Sequence, residues 1–369
     1  MKLFNLLAVL VVAGIASPSH AQSPPTAPAS DVPMPDSPFL PDLTPGYALI
    51  EGDIQVPMSH FKRLTEGGIQ AAATFGRVSF WPNNTVPYDF VTAGGGAVSA
   101  ANQTAAINAM NAIAARAGVI FRVAVGSDAN RIRFQNSSFN NSPVGLQGGA
   151  QTINIVSWGN QIIICHEIYH SLGFWHEQSR SDRDTYVTIN TVNICGSDAS
   201  TPCTDGAGAT QCCQCVDAAG TCIPCAFNFQ IEVDTGTYGL YDFDSFMHYG
   251  RTAFSCNGAD TITVKNPWNA QWQGVIGQRD HFSYYDALTC RALYPFSGDR
   301  WLDRAASPFG LATGEFLLPY KNLDLGGALT GVPVGGTLFV KFANTYSGIG
   351  IHSKPVTIVA PNGVVTFGN

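Results

Sequence analysis

Residues His166–Glu177 read HEIYHSLGFWHE and hold three of the chain's eight histidines within twelve positions. His166 and His170 are four residues apart, so on a helix they lie on one face and can share a metal ion. Gly173 predicts the end of that helix, because glycine accepts the left-handed backbone of a C-terminal cap. The chain can then turn and bring His176 back as a third ligand.

This arrangement indicates a catalytic metal site. Three neutral imidazoles leave a fourth position around a zinc ion for water, as in catalytic rather than structural zinc sites. Zinc lowers the pKa of such a water to about 7. Glu167 is not spaced to be a ligand, and we expect it to take the water's proton and later pass it to the leaving amine. A helix that carries these histidines by chance is disfavoured, because the whole pattern would recur in roughly one chain in a million.

The surrounding residues resemble the astacin family of zinc endopeptidases, within the metzincins. The resemblance rests on the histidine stretch, on its continuation Gln178–Asn190 and on Ser245–Gly250 (SFMHYG), and it covers roughly Ala72 to Pro295. It implies an α+β catalytic domain at residues 72–297, with a twisted, mostly antiparallel-edged sheet over the zinc helix and an irregular lower subdomain. It also implies one catalytic Zn²⁺ and a protein or peptide substrate lying along an edge strand.

The resemblance assigns roles beyond the three histidine ligands and the general base. Met247 matches the methionine of the turn beneath the metal, although alone it would be core filler. Tyr249 matches the tyrosine that ligates zinc at rest and swings away to stabilise the oxyanion; alone it would be a packed aromatic. Glu177 matches the glutamate that receives the new N-terminal ammonium after activation, which would spare it the cost of an unpaired buried charge.

The amino terminus predicts secretion. A short basic start, the apolar run Leu3–Ala16 and the small-x-small triplet Ser19–Ala21 are typical of a signal peptide over residues 1–21. The apolar run is too short to span a bilayer, and we expect no membrane span elsewhere. The location is therefore predicted to be extracellular or periplasmic. The chain holds 26 acidic and 19 basic residues with no basic run, which argues against nucleic acid as a partner.

Residues 22–71 are predicted to be a propeptide. Eight prolines between Gln22 and Pro45 indicate an extended linker. The segment Leu49–Ile54 (LIEGDI) resembles the astacin motif whose aspartate binds the zinc, which makes Asp53 a predicted latency switch; an ordinary turn residue is the alternative. Family spacing puts the mature start near Ala72, and Lys62-Arg63 is a rival site for an activating protease.

The cysteines depart from the family pattern. Seven of the ten lie in residues 195–225, which look like an insertion before the methionine turn. Its two C-x2-C pairs could hold a structural zinc, but disulfides are favoured in a secreted chain. Cys165 points about 100° away from His166 on a helix, so we expect it to be a buried structural cysteine.

Residues 298–369 predict a separate β-rich unit. Its short, glycine-punctuated strands weakly resemble the first coils of a right-handed parallel β-helix, and so few coils do not bury a solenoid core alone. A small unit packed on the enzyme is slightly favoured over a binding appendage. The alternative function for the chain is a catalytically inactive protease-fold binding or adhesion protein that uses this unit, and the intact Glu167 argues against it.

In the catalytic region, the pattern of apolar residues predicts a helix at 97–117 and strands at 119–125, 131–134 and 151–156.

Overall fold

The computed structural model describes residues 46–58, 80–194, 225–232 and 236–305, four two-residue strands between 203 and 223, and parts of 316–367. The chain divides into two compact units, an N-terminal one with described residues between 46 and 290 and a C-terminal one with described residues between 291 and 367. The predicted signal peptide, the Lys62-Arg63 site and the predicted mature start at Ala72 lie outside the described residues. Within the described parts, no helix is long and apolar enough to cross a bilayer.

The N-terminal unit is built on a parallel sheet. In chain order its first elements are β1 (Tyr47–Ile50), β2 (Ile54–Pro57), β3 (Thr85–Phe90), α1 (Ala100–Ala114), β4 (Ile120–Val123), β5 (Arg131–Asn136), β6 (Ser142–Pro143) and β7 (Ala150–Ile155). Strands β4, β3, β5 and β7 form the sheet in that order, and all three pairings are parallel. Helix α1 provides the crossover that parallel neighbours β3 and β4 need. The predicted helix and strands of this region are confirmed, with ends shifted by no more than three residues.

The open edge of this sheet, beside β7, is where other segments of the chain pair. Asn141 forms an isolated antiparallel bridge with Asn154 of β7. Strand β6 follows directly and pairs in parallel with β2. Strands β1 and β2 are the two antiparallel arms of a hairpin. The hairpin belongs to the segment predicted as propeptide, and its two strands form a separate three-stranded sheet with β6.

Helix α2 (Gln161–Leu172) carries the first half of the histidine stretch. Asn160 caps its start, since its side-chain oxygen accepts hydrogen bonds from two backbone N–H groups of the first turn. Gly173 ends it with φ 107°, the left-handed conformation that the sequence predicted there. Helix α2 packs beside α1 and is buried over most of its length. Cys165 is a free, buried cysteine, as expected.

The lower half of the N-terminal unit is irregular. Its elements are β8 (Val187–Ile189), the paired short strands β9 (Cys203–Thr204) and β10 (Thr210–Gln211), the paired β11 (Gln214–Cys215) and β12 (Cys222–Ile223), then β13 (Ile262–Val264), α3 (Asn269–Trp272) and α4 (Tyr284–Leu293). Strand β8 pairs antiparallel with β13 over a core rich in aromatic side chains. Cys225 and Cys256 each take part in a disulfide bond, whereas Cys290 is free and buried.

The C-terminal unit has its own small core. Its elements are β14 (Asp299–Leu302), α5 (Ala328–Gly331), β15 (Thr337–Val340), β16 (Thr345–Tyr346), β17 (Thr357–Val359) and β18 (Thr366–Phe367). The described pairings, β14 with β15, β15 with β17 and β16 with β18, are all parallel. Aliphatic side chains of these strands and of α5 fill the core, and Trp301 stacks on Phe339 with ring centroids 4.6 Å apart.

Candidate metal centre

Three imidazole nitrogens meet at the end of α2. Within this helix His166 and His170 stand one turn apart, and the left-handed turn at Gly173 returns the chain so that His176 reaches the same point. The Nε2 atom of His166 lies 3.1 Å from Nε2 of His170 and 3.3 Å from Nε2 of His176. All three side chains are buried. The structure thus brings together the three histidines that the sequence predicted as ligands.

The opposite nitrogen of each helix histidine is fixed by an acceptor. The Nδ1 atom of His166 lies 2.9 Å from the carbonyl oxygen of Phe246, and that of His170 lies 2.8 Å from the carbonyl oxygen of Phe174. A carbonyl oxygen only accepts, so each Nδ1 carries the proton and each Nε2 presents a lone pair. Burial lowers the pKa of His166 to about 3, which favours the neutral ring. Converging lone pairs at this distance repel one another unless a cation lies between them.

Asp53 completes the set of donor atoms from the turn of the β1–β2 hairpin. One carboxylate oxygen lies 3.1 Å from Nε2 of His166, and the other lies 3.2 Å from Nε2 of His176 and 3.6 Å from Nε2 of His170. A tetrahedral zinc ion with bonds of about 2.05 Å holds its donor atoms roughly 3.3 Å apart. The spacing and chemistry of the four side chains therefore fit a zinc ion. Although burial opposes ionisation, the positive charge of His176 and the polar contacts with the three imidazoles hold the pKa of Asp53 well below its usual range.

Glu167 is buried next to the metal ligands but is not one of the four clustered donors. Its Oε2 atom finds no hydrogen-bond partner among the described residues. Burial raises the pKa of Glu167 well above its usual range, the charge of Asp53 adds to this, and the Arg279 guanidinium opposes it. A buried carboxylate with a free lone pair has the chemistry of a general base.

The turn that includes Met247 lies under the histidines. Asp286 fixes this turn by accepting hydrogen bonds from the Ser245 hydroxyl at 2.6 Å and from the Phe246 N–H at 3.1 Å. The carbonyl of Phe246 in turn holds His166, as described above. Met247 is buried, and its carbonyl accepts a hydrogen bond from the N–H of Glu177 at 3.0 Å. The turn therefore ties the helix ligand to the segment that carries the third histidine.

Tyr249 lies beside the third ligand, with its ring centroid 4.6 Å from that of His176. Its hydroxyl donates to the carbonyl oxygen of Glu51 in the hairpin turn. Gln178 accepts from the N–H of Tyr249 at 2.9 Å and fixes its backbone. The phenol is thus near the three histidines, where the sequence predicted it, and it is bound to the segment predicted as propeptide.

Glu51 was missed in the sequence, although it stands two residues before Asp53. Its carboxylate accepts from Nδ1 of His176 at 2.6 Å and from the hydroxyl of Ser179 at 2.7 Å. Its φ of 47° places it in the left-handed region, and Gly52 follows with φ 75°. A charged residue directly after the apolar run Ala48–Ile50 was the available signal, because a buried carboxylate needs a partner.

Glu177 already has partners in the uncleaved chain. Its Oε1 atom accepts from the Arg180 guanidinium at 3.0 Å and from the N–H of Asp242 at 2.8 Å. Burial raises the pKa of Glu177 to about 7, against the opposing charge of Arg180. The predicted pairing with a new N terminus concerns the cleaved enzyme and stays a prediction.

Comparison with known proteins gives a family match over much of the N-terminal unit. The family model described as Astacin, a family of peptidases, matches residues 74–201 and 226–295, which leaves most of the cysteine-rich insertion outside the match. The matched ranges contain all three histidines, Glu167, Met247 and Tyr249, whereas the hairpin with Asp53 precedes them.

Individual relatives match shorter stretches. High choriolytic enzyme 1 of Oryzias latipes is 37% identical over 158 residues, which are 42% of this chain and 46% of that protein. Zinc metalloproteinase nas-15 of Caenorhabditis elegans is 29% identical over 239 residues, 64% of this chain and 36% of that protein. The chain therefore spans less than half of each relative's length. The solved structure of high choriolytic enzyme 1 aligns with 61% of this chain and 98% of its own, at 29% identity and a TM-score of 0.46.

Proposed function

Because the chain belongs to the astacin family of peptidases, we propose that it is a secreted zinc endopeptidase made as an inactive precursor. The observation that carries this proposal is the convergence of three Nε2 atoms and one carboxylate at the spacing of zinc ligands. The relatives' printed names, which include a choriolytic enzyme and a zinc metalloproteinase, support the same chemistry.

In the proposed active enzyme, His166, His170 and His176 would hold a zinc ion. When bound, the ion would supply Lewis acidity, which lowers the pKa of a water molecule and polarises a carbonyl group. Glu167 takes the proton of the attacking water on its unpaired oxygen and later delivers it to the leaving amine. Tyr249, once its hydroxyl is released from Glu51, donates a hydrogen bond to the developing oxyanion.

The substrate in this proposal is an extended peptide that pairs with β6. A strand edge offers backbone N–H and C=O groups to an added strand, whatever the sequence of that strand. The hairpin strand β2 now occupies this edge through its pairing with β6. An extended segment of a protein substrate would take its place, with the scissile bond near the histidines.

Latency in this proposal comes from the hairpin turn. Asp53 occupies the position that water needs, and Glu51 holds both His176 and the Tyr249 hydroxyl. Cleavage by an activating protease near Ala72, or at Lys62-Arg63, would free the hairpin. The new N-terminal ammonium would then join Glu177, which Arg180 now holds. Disulfides in the cysteine-rich segment suit the proposed secretion.

Hydrolysis of casein by the activated chain tests the proposed activity. Residues 22–369 are expressed, cleaved with a trypsin-like protease that is then inhibited, and assayed with and without 1,10-phenanthroline. We expect activity that the chelator abolishes and added zinc restores, while Glu167→Gln is inactive but still binds one zinc per chain. Activity that survives the chelator or the substitution contradicts the mechanism. An inert wild-type protein with zinc bound favours the adhesion alternative.

A further inference from the structure

One face of the propeptide hairpin is wholly aliphatic. Across the hairpin Ala48 pairs with Val56 and Ile50 pairs with Ile54, so these four side chains point to the same side. All four are buried and form one apolar cluster. The residues between them on β2 and in the turn carry polar groups, among them the Asp53 carboxylate.

The catalytic region supplies the wall against which this face packs. Val144, directly after β6, is buried in the cluster, and Trp175 and Phe227 pack against it while remaining partly exposed. Trp175 immediately precedes the third histidine. Phe227 lies in the short 3-10 helix Cys225–Phe229, directly behind the cysteine-rich insertion. The wall is therefore formed in part by the segment that carries the third histidine and in part by the segment directly after the cysteine-rich insertion.

The position of this wall relative to the metal centre follows from the hairpin. Ile54 is the residue after Asp53, whose carboxylate touches the histidines, and Val56 stands two residues further along β2. Residues on one face of a strand recur about 6.6 Å apart. An extended substrate paired with β6 in place of β2 would therefore present side chains to the wall at positions about one and three residues from the reacting bond.

From this geometry we propose that Val144, Trp175 and Phe227 form a substrate subsite that selects aliphatic side chains. The occupant is an extended protein segment with aliphatic residues two positions apart, close to the scissile bond on one side of it. This inference rests on the proposed peptidase function. The hairpin shows the fit, because its own Ile54 and Val56 occupy the site in the precursor.

Comparing the cleavage of two peptide pools tests the preference for aliphatic side chains. The activated enzyme is given both pools, and kcat/KM is compared between them. The pools share a cleavage site and differ only in carrying valine or serine at alternate positions near it. We expect the valine pool to be preferred about tenfold or more, in the range that apolar pockets achieve. Phe227→Ala should reduce this ratio to near one, because it lowers kcat/KM for the valine pool more than for the serine pool. Phe121→Ala, a partly buried phenylalanine on the remote strand β4, is the matched control and should leave the ratio unchanged.

A binding measurement separates the subsite from catalysis. A synthetic peptide of residues 46–58 is titrated into the activated protein, and its affinity is compared with that of a peptide carrying Ile54→Ser and Val56→Ser. We expect at least tenfold weaker binding of the serine peptide to the wild-type protein and a smaller difference with Phe227→Ala. If the two peptides bind with equal affinity, or if an enzyme that hydrolyses casein cleaves both pools equally, the subsite proposal is overturned and the peptidase proposal stands. If the protein hydrolyses nothing but still binds the wild-type peptide more tightly, the peptidase proposal is overturned and the subsite proposal stands.

Discussion

Replacing Asp53 by asparagine in the uncleaved precursor is expected to raise its peptidase activity about ten- to 150-fold. The carboxylate touches three imidazole nitrogens at 3.1–3.6 Å in a buried site. We take the loss of this charged contact as comparable to the loss of a hydrogen bond to a charged group, about 1.5–3 kcal/mol, and each 1.4 kcal/mol changes a population ratio about tenfold. The neutral amide keeps the shape of Asp53 but loses this energy, so the open form of the hairpin becomes more populated. Residual latency should remain, because the aliphatic face of the hairpin is unchanged.

The assay follows hydrolysis of a fluorogenic protein by purified precursor, with intact mass measured at the end to show that the chain is still uncleaved. Asp184→Asn serves as the control, since the Asp184 side chain is 69% exposed and far less constrained. The fully cleaved enzyme sets the upper limit. An Asp53→Asn precursor as inactive as the wild type, with its zinc retained, would refute the assignment of Asp53 as the latency switch.

Three further outcomes are expected. Glu51→Gln should weaken the hairpin through its charged contact with His176 and raise precursor activity about tenfold, and an effect no larger than that of a surface substitution would count against its role. Cys290, whose pKa burial raises to about 12, should resist iodoacetamide at pH 8 in the native protein and react on unfolding, as peptide mass mapping would show. Asp89→Asn should lower the free energy of unfolding by about 1 kcal/mol at pH 7 in urea titrations, because two arginines on β5 contact its carboxylate. Burial opposes ionisation of Asp89, but these arginines hold its pKa below its usual range. The carboxylate therefore adds to the free energy of unfolding above the unfolded pKa near 3.9, and this addition should fade as the pH drops below that value. A difference in the free energy of unfolding between wild type and Asp89→Asn that stays constant down to pH 2 would contradict this.

The local part of the site was predictable because it follows from helix periodicity. Four-residue spacing fixed His166 and His170 on one face, and glycine's access to the left-handed region fixed the turn at Gly173. The helix predicted at 97–117 and the strands of the sheet followed from the periodicity of apolar residues in the same way. Each of these features depends on contacts within about a dozen residues of the chain.

The contacts that bring the hairpin onto the site were not predictable from spacing alone. Glu51 and His176 are 125 residues apart in sequence, and no periodicity links them. The parallel pairing of β2 with the two-residue strand β6 is equally remote and is too short to leave a pattern. The left-handed backbone at Glu51 is unusual for that residue and is set by the surrounding contacts rather than by its own preference. Asp53 was identified through family resemblance, whereas its neighbour needed the structure.

In the uncleaved chain, we expect the three histidines and Asp53 to hold a zinc ion together. X-ray absorption at the zinc edge of the purified precursor, combined with metal analysis, identifies the donor atoms. We expect one zinc per chain, bound by three imidazole nitrogens at about 2.0–2.1 Å and one carboxylate oxygen at about 2.0–2.2 Å, with the carboxylate contribution lost in Asp53→Ala. A precursor that binds no zinc, or whose zinc spectrum is the same with and without the Asp53 side chain, would refute this coordination.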